Sequence, residues 1–416
     1  MGKQTFVTGT PMTKPAKTTR PIRLRMDVPL MLAVLTLLVI GLLFVYSASW
    51  RYSIINDLPA TYYLGRQILW VLLGLAVAVV ASVIDYHKYK KLLLPGMFLV
   101  IALLLVVLIV KDERNGATRT ILNGSVQPSE LAGLAVILYL AFWLYGKREV
   151  LNQVSFGLFP LMFILGVLTG LIMLQPDLSA AIIVLLLGAV MFYLAGGELR
   201  QIVPVFAVSG LLGYLVVMAY PNWSTRLTDY FAFWQDPANA PYHVSRSIEA
   251  VVRGGIFGQG IGMSSTKFTG LPFAWTDSIF AVITEETGLV GATVVILLFM
   301  VILWRGLRIA QHAPDLLGKL IAAGITLWIV IEALVNMSVL ISLLPFAGNA
   351  LPLVSAGGSS LVTTMAGLGI LMNIARANET QQTTEEGRSY GAVVDMRRRD
   401  RRRSVSRPVG SESNPD

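Results

Sequence analysis

"LPFAWTDSIFAVITEETG", residues 271–288, puts one aspartate at the lip of an apolar run and two glutamates inside it. Asp277 follows a proline-bearing loop, and from Ser278 the chain reads as a helix apolar enough to cross a bilayer, over 278–304. Carboxylates are costly at that depth, so those found there are functional candidates. At 100° per residue, Asp277 and Glu285 lie about 80° apart around such a helix and about 12 Å along it. They cannot share a proton as a close dyad, and Glu286 falls roughly opposite Asp277. Asp277 is therefore the group available to chemistry at the surface. The glutamates are expected to bind neighbouring helices or line a cavity. Gly288 and Gly291 follow as small residues that permit close helix packing.

The rest of the chain fits a membrane setting. It has 416 residues, of which 55% are hydrophobic and 14% charged, with a mean hydropathy of +0.67. That balance belongs to a polytopic all-α membrane protein. A span needs about 20 apolar residues as helix. Such runs lie at 29–49, 68–85, 92–110, 129–146, 157–174, 178–196, 202–220, 278–304, 320–341 and 356–375, ten in all. Cysteine is absent, and His87, His243 and His312 are scattered, which excludes a disulfide framework and a zinc motif. The net charge of +9 sits in two tails and in alternate loops. Nine basic residues in one set of short loops face five in the other, and both tails join the richer side. The positive-inside rule makes that side cytoplasmic, so the charge marks topology and not nucleic-acid binding.

Three regions follow: a basic tail (1–28) leading into an uncleaved first helix, a ten-helix membrane domain (29–376), and a basic tail (377–416) carrying "RRRDRRR" at 397–403, read as disordered. Between helices seven and eight, residues 221–277 form a large extracytoplasmic loop, too long for a plain connector. It holds Arg226, Arg246 and Lys267 together with five glycines in 253–268. Glycines let backbone approach a ligand, and cations with free N–H groups suit phosphate.

Other polar residues intrude on the spans. "VQPSELAG" (126–133) places Glu130 at the start of span four, and "LQPDLSAA" (174–181) places Asp177 between spans five and six. Proline suits a first helical turn, and Ser129 or Asp177 can cap it. Glu332 and Asn336 lie deep in span nine.

Taken in order, six phrases resemble the SEDS family of FtsW, RodA and SpoVE, polytopic glycosyltransferases of bacterial cell-wall synthesis. They are "VYSAS" (45–49), "GATRTI" (116–121), "QPSELA" (127–132), "QPDLSAA" (175–181), "LPFAWTDSIFAVITEETGLVG" (271–291) and "LPLVSAGGSS" (351–360). The glycine run before Lys267 and the basic tail make the chain look nearer FtsW. The resemblance implies polymerisation of lipid II on the outer face of the cytoplasmic membrane, in division or elongation. By position Asp277 matches the family's essential aspartate, with the role of general base. Arg226, Arg246, Lys267, Arg119 and Glu130 are then the substrate-side residues. Asp177, Glu285, Glu286, Glu332, Asn336 and Ser355 support the cavity. A divalent cation, magnesium or manganese, is a cofactor expectation of the same kind. The implied partners are lipid II, a class B penicillin-binding protein acting as transpeptidase, and other division proteins.

The chain departs from the family pattern at several points. Gly133 stands where a lysine is common, which takes from Glu130 its usual partner. Thr120, Trp275 and Ala356 replace a usual Trp, His and Tyr, and Arg246 a common Gln. A lipid II flippase and a non-catalytic division scaffold are the competing readings. Transporters too use buried carboxylates beside helix starts broken by proline.

Overall fold

The computed structural model describes residues 27–110, 127–151, 153, 157–175, 177–236, 240–345 and 348–378. Arg119, most of both basic tails and the run at 397–403 lie outside these. Among the described residues the structure is helical with no strand.

Among the described residues ten apolar helices stand at the expected places. They are α1 (Val28–Ile55), α2 (Tyr62–Val83), α3 (Leu93–Val110), α4 (Pro128–Lys147), α5 (Phe159–Leu174), α6 (Leu178–Leu194), α7 (Leu199–Ala219), α10 (Ile279–Gln311), α11 (Leu316–Leu340) and α12 (Gly358–Asn378). Among the described residues eight segments are long and apolar enough to cross a membrane, and α5 and α6 are shorter. Helices suit this setting because each satisfies its own backbone hydrogen bonds away from water. Caps fix where several begin. Asp27 accepts from Leu30 N at 3.2 Å and also receives Arg305 of α10 at 2.6 Å. Asp315 accepts from Gly318 N at 2.7 Å and opens α11.

The apolar stretch of α11 is 78% buried and that of α12 is 72%, against 6% for α7. The first two therefore form the centre, and α7 presents its side chains outward. α10 packs against α1 and α11.

Residues 221–277 are more than a loop. They contain α8 (Pro221–Gln235) and α9 (Tyr242–Gly254), and α9 packs on α10. α10 is also not one continuous helix. Gly288 adopts φ 69°, ψ −168°, a backbone that interrupts it. Segment 254–260 pairs into this break: Gln259 N donates to Glu285 O and Gly260 N to Glu286 O, both at 2.9 Å, and Leu289 N donates to Gly255 O at 2.9 Å. A Cβ on Gly288 would collide with the carbonyl of Ile256, and one on Gly258 with that of Glu286. The expected role of Gly288 in helix–helix packing is thus corrected. It lets a loop, not a helix, approach.

Candidate functional site

Asp277 sits half-buried in a turn just before α10. Three consecutive carbonyls of that turn are fixed from other elements. Trp275 O accepts from Ala356 N at 2.9 Å, Thr276 O from Ser355 Oγ at 2.6 Å, and Asp277 O from Asn336 Nδ2 at 2.9 Å. Ser355 also receives Leu351 N at 2.7 Å, and Asn336 donates to Asn349 O at 2.5 Å. The segment 349–356 is thereby a brace between α11 and the turn. Ser278 Oγ donates to Pro272 O at 2.7 Å and lies 2.9 Å from His243 Nε2 on α9. Burial, with the charge of Arg226 adding to it, pushes the His243 imidazole down to about 4, so it is neutral at physiological pH.

Behind this turn lies a group of buried carboxyls. Glu130 and Glu332 share a side-chain hydrogen bond, Ser360 also bonds Glu130, and the charge of Asp277 reaches Glu130. Asp177 accepts from Ser129 Oγ at 3.0 Å, Gln127 Nε2 at 3.1 Å, Ser179 Oγ at 3.2 Å and Ala180 N at 3.3 Å. It is both the cap of α6 and the hub that ties α4 to α6. Glu130, Asp177, Glu332 and Asn349 line a cavity of about 20 Å³, room for one water. Gly133 borders the same cavity, and the Trp328 indole covers it: a Cβ there would stand 3.0 Å from Trp328 Nε1.

The acidic pair of α10 is bound differently. Lys267 Nζ meets Glu286 Oε1 at 2.5 Å, with both side chains fully buried. Ser47 of α1 donates to the same carboxylate at 2.6 Å and Gly262 N at 2.8 Å. Glu285 gathers Ser264, Thr266 and the Ser265 N–H, the last at 3.0 Å. The two glutamates thus clasp residues 262–267 rather than a neighbouring helix alone.

The loop cations separate accordingly. Lys267 is engaged inside the protein. Arg246 pairs with Glu249 at 2.6 Å and covers the Tyr242 ring. Arg226 lies 5.1 Å over Trp223 and borders an apolar groove of about 160 Å³ between α6, α7, α8 and α11. Among the described residues no three His, Asp or Glu side chains are arranged to hold a metal. Sequence reasoning missed His243, Ser47 and Asn349. A lone histidine, serine or asparagine carries no spacing signal, and each acquires its place through contacts 35 to 239 residues away.

Comparison with known proteins now fixes the family. The profile described as cell cycle protein, that of FtsW, RodA and SpoVE, matches residues 28–380. The chain is 37% identical over 356 residues to the stage V sporulation protein E of Bacillus subtilis, covering 84% of this chain and 97% of that protein. It is 37% identical over 352 residues to the probable peptidoglycan glycosyltransferase FtsW of Geobacter sp. strain M18, covering 83% and 95%. A chain of a solved peptidoglycan synthase complex, described as coordinating polymerization and crosslinking, superposes with a TM-score of 0.69 at 28% identity over 85% of this chain and 98% of that one. The rod shape determining protein RodA of Thermus thermophilus superposes with a TM-score of 0.63 at 27% identity over 86% and 99%. This chain belongs to the FtsW/RodA/SpoVE family, and is a multi-pass membrane protein.

Proposed function

We propose that this chain is an inverting peptidoglycan glycosyltransferase that polymerises lipid II on the outer face of the cytoplasmic membrane, with both termini cytoplasmic. The observation that carries the reading is the seat of Asp277. Hydrogen bonds from Ala356, Ser355 and Asn336 fix three successive carbonyls around a half-buried carboxylate. Such preorganisation suits a general base, whose geometry must be right before its acidity matters. Asp277 takes the proton of the acceptor GlcNAc 4-hydroxyl. The oxygen attacks C1 of the lipid-linked MurNAc with inversion, the bond from C1 to the pyrophosphate oxygen breaks, and undecaprenyl pyrophosphate leaves. The apolar groove ending at Arg226 matches a chain with an anionic head. Lys267, buried against Glu286, is taken out of that role.

A cross-linking class B penicillin-binding protein is the proposed partner, supported by a structural relative that belongs to a synthase complex. The test is lipid II polymerisation by purified protein, alone and with its partner. Asp277→Asn and Asp277→Ala should lower the rate about 10²–10⁴-fold while the protein stays folded. Equal polymer from wild type and variants removes Asp277 from the chemistry. Polymer from none of them, partner present, favours transport or a scaffold.

A further inference from the structure

Beside Asp277, three aromatic rings from three elements converge. Tyr52 lies near the end of α1, Tyr63 near the start of α2, and Trp275 in the turn two residues before Asp277. Tyr52 and Trp275 have ring centroids 4.6 Å apart at 43°, and Tyr63 and Trp275 5.2 Å apart at 39°. Tyr52 and Tyr63 close the triangle at 6.1 Å, and Tyr62 stands edge-on to Tyr63 at 5.2 Å. The group is not sealed as core: Tyr52 is 44% and Tyr62 43% exposed. The bond from Ala356 N to Trp275 O anchors this platform to the backbone that seats Asp277. Two residues of chain keep the Cα atoms of Trp275 and Asp277 within about 7 Å.

Tyrosine and tryptophan at helix ends commonly rest at a membrane interface. That accounts for single rings, but does not call for three elements to bring theirs together on one turn. A rigid surface with an apolar face and phenolic oxygens at its edge matches a hexopyranose, whose C–H faces are apolar and whose rim carries hydroxyls. Arg66, within electrostatic reach of Tyr63, borders it with a cation.

We propose that Tyr52, Tyr63 and Trp275 form a subsite that stacks the pyranose ring of the acceptor GlcNAc and holds its 4-hydroxyl toward Asp277. This rests on the glycosyltransferase reading and adds where the acceptor sugar is gripped. Losing one ring should weaken acceptor binding about three- to tenfold, the size of an aromatic contact, and the loss should appear in KM and strand length rather than in kcat.

Two measurements on the purified full chain test it. Binding of chitotetraose, a soluble β-1,4-linked probe, is followed by saturation-transfer NMR. Lipid II polymerisation is followed separately by strand length and KM. Trp275→Leu and Tyr63→Leu should weaken probe binding about three- to tenfold and shorten the strands, and Trp275→Phe should restore most of both, which separates stacking from misfolding. Wild-type strand length and unchanged KM in the leucine variants would overturn the subsite and leave an interfacial belt. So would absence of chitotetraose binding to the wild type together with unaltered polymer in the variants. Ring-dependent chitotetraose binding by a wild type that makes no polymer even with its partner present would sink the enzymatic reading and leave the subsite standing.

Discussion

Glu286 on α10 and Glu332 on α11 are carboxyls sealed within the same bundle, 1% and 5% exposed, and the fold accommodates them in opposite ways. Glu286 faces a buried ammonium, Lys267, and two further donors from Ser47 and Gly262. Glu332 faces another carboxyl, Glu130, and among the described residues no lysine or arginine lines their cavity. A hydrogen bond between two carboxyls needs one proton between them. The first cluster is closed by a cation and staples a loop into the break of α10. The second is closed by a proton and lies where the charge of Asp277 is felt. Equal burial thus conceals two kinds of site, one a scaffold and one within electrostatic reach of Asp277.

The same substitution should separate them. Glu286→Gln leaves the Lys267 ammonium buried without its counter-charge, a loss of about 3–5 kcal/mol. Lys267→Met exposes the converse fault and should cost a similar amount. The double variant should recover part of the loss, because the pair is then removed as a unit. Thermal melts of the purified protein check this. Melts for Glu286→Gln that overlay the wild type would deny the clasp its structural role.

His243 shows a third way to bury a titratable group, which is to keep it neutral. Its pKa of about 4 in the fold lies below the ordinary 6.5, so between those values the unfolded chain binds the extra proton. Stability from this group is therefore complete above pH 6.5 and lost as pH falls toward 4, by up to about 3 kcal/mol. The difference between wild type and His243→Gln, melted at pH 4.5 and pH 7.5, isolates it. A gap of the same size at both pH values would contradict the assignment.

Hydropathy made the ten apolar helices legible, because a bilayer imposes a length and composition that no tertiary contact overrides. The capping of α6 by Asp177 was also legible, since a cap is a local event, but the further donors from Ser129 and Gln127, 48 and 50 residues away, were not. Gly288 illustrates the limit more sharply. Its neighbours read as uninterrupted helix, and the break exists because backbone from 254–260 supplies hydrogen bonds there. Gly133 misled in the same manner. Without a lysine at that position Glu130 looked deserted, whereas its partner arrives on α11 and Trp328 occupies the space over the glycine. Lys267 read as a cation for pyrophosphate because nothing in the spacing tells a buried ammonium from a solvated one.

The break itself can be probed by Gly288→Ala. A Cβ would meet the Ile256 carbonyl, and φ 69° is a conformation alanine resists. The cost should be about 1–3 kcal/mol, less than opening the ion pair, because the loop can withdraw slightly while the clasp holds. Limited proteolysis within 255–263 should accelerate in the variant. An unaltered digest would mean the loop does not depend on this approach.

Glu332→Gln should have the smallest effect on stability and is the sharpest counterpart to Glu286→Gln. The amide has nearly the carboxyl's shape and brings its own donor, so it can supply to Glu130 the hydrogen bond that the shared proton supplied. No cation is orphaned, and the change should stay within about 1 kcal/mol. The shared proton is removed at the same time, so Glu130 keeps its partner but loses the group with which it exchanges that proton. If the second cluster tunes the charge near Asp277, the variant should melt like wild type while its polymerisation shows a displaced pH profile. A loss of stability as large as that of Glu286→Gln would mean the carboxyl pair is scaffold after all, and the contrast between the two clusters would collapse.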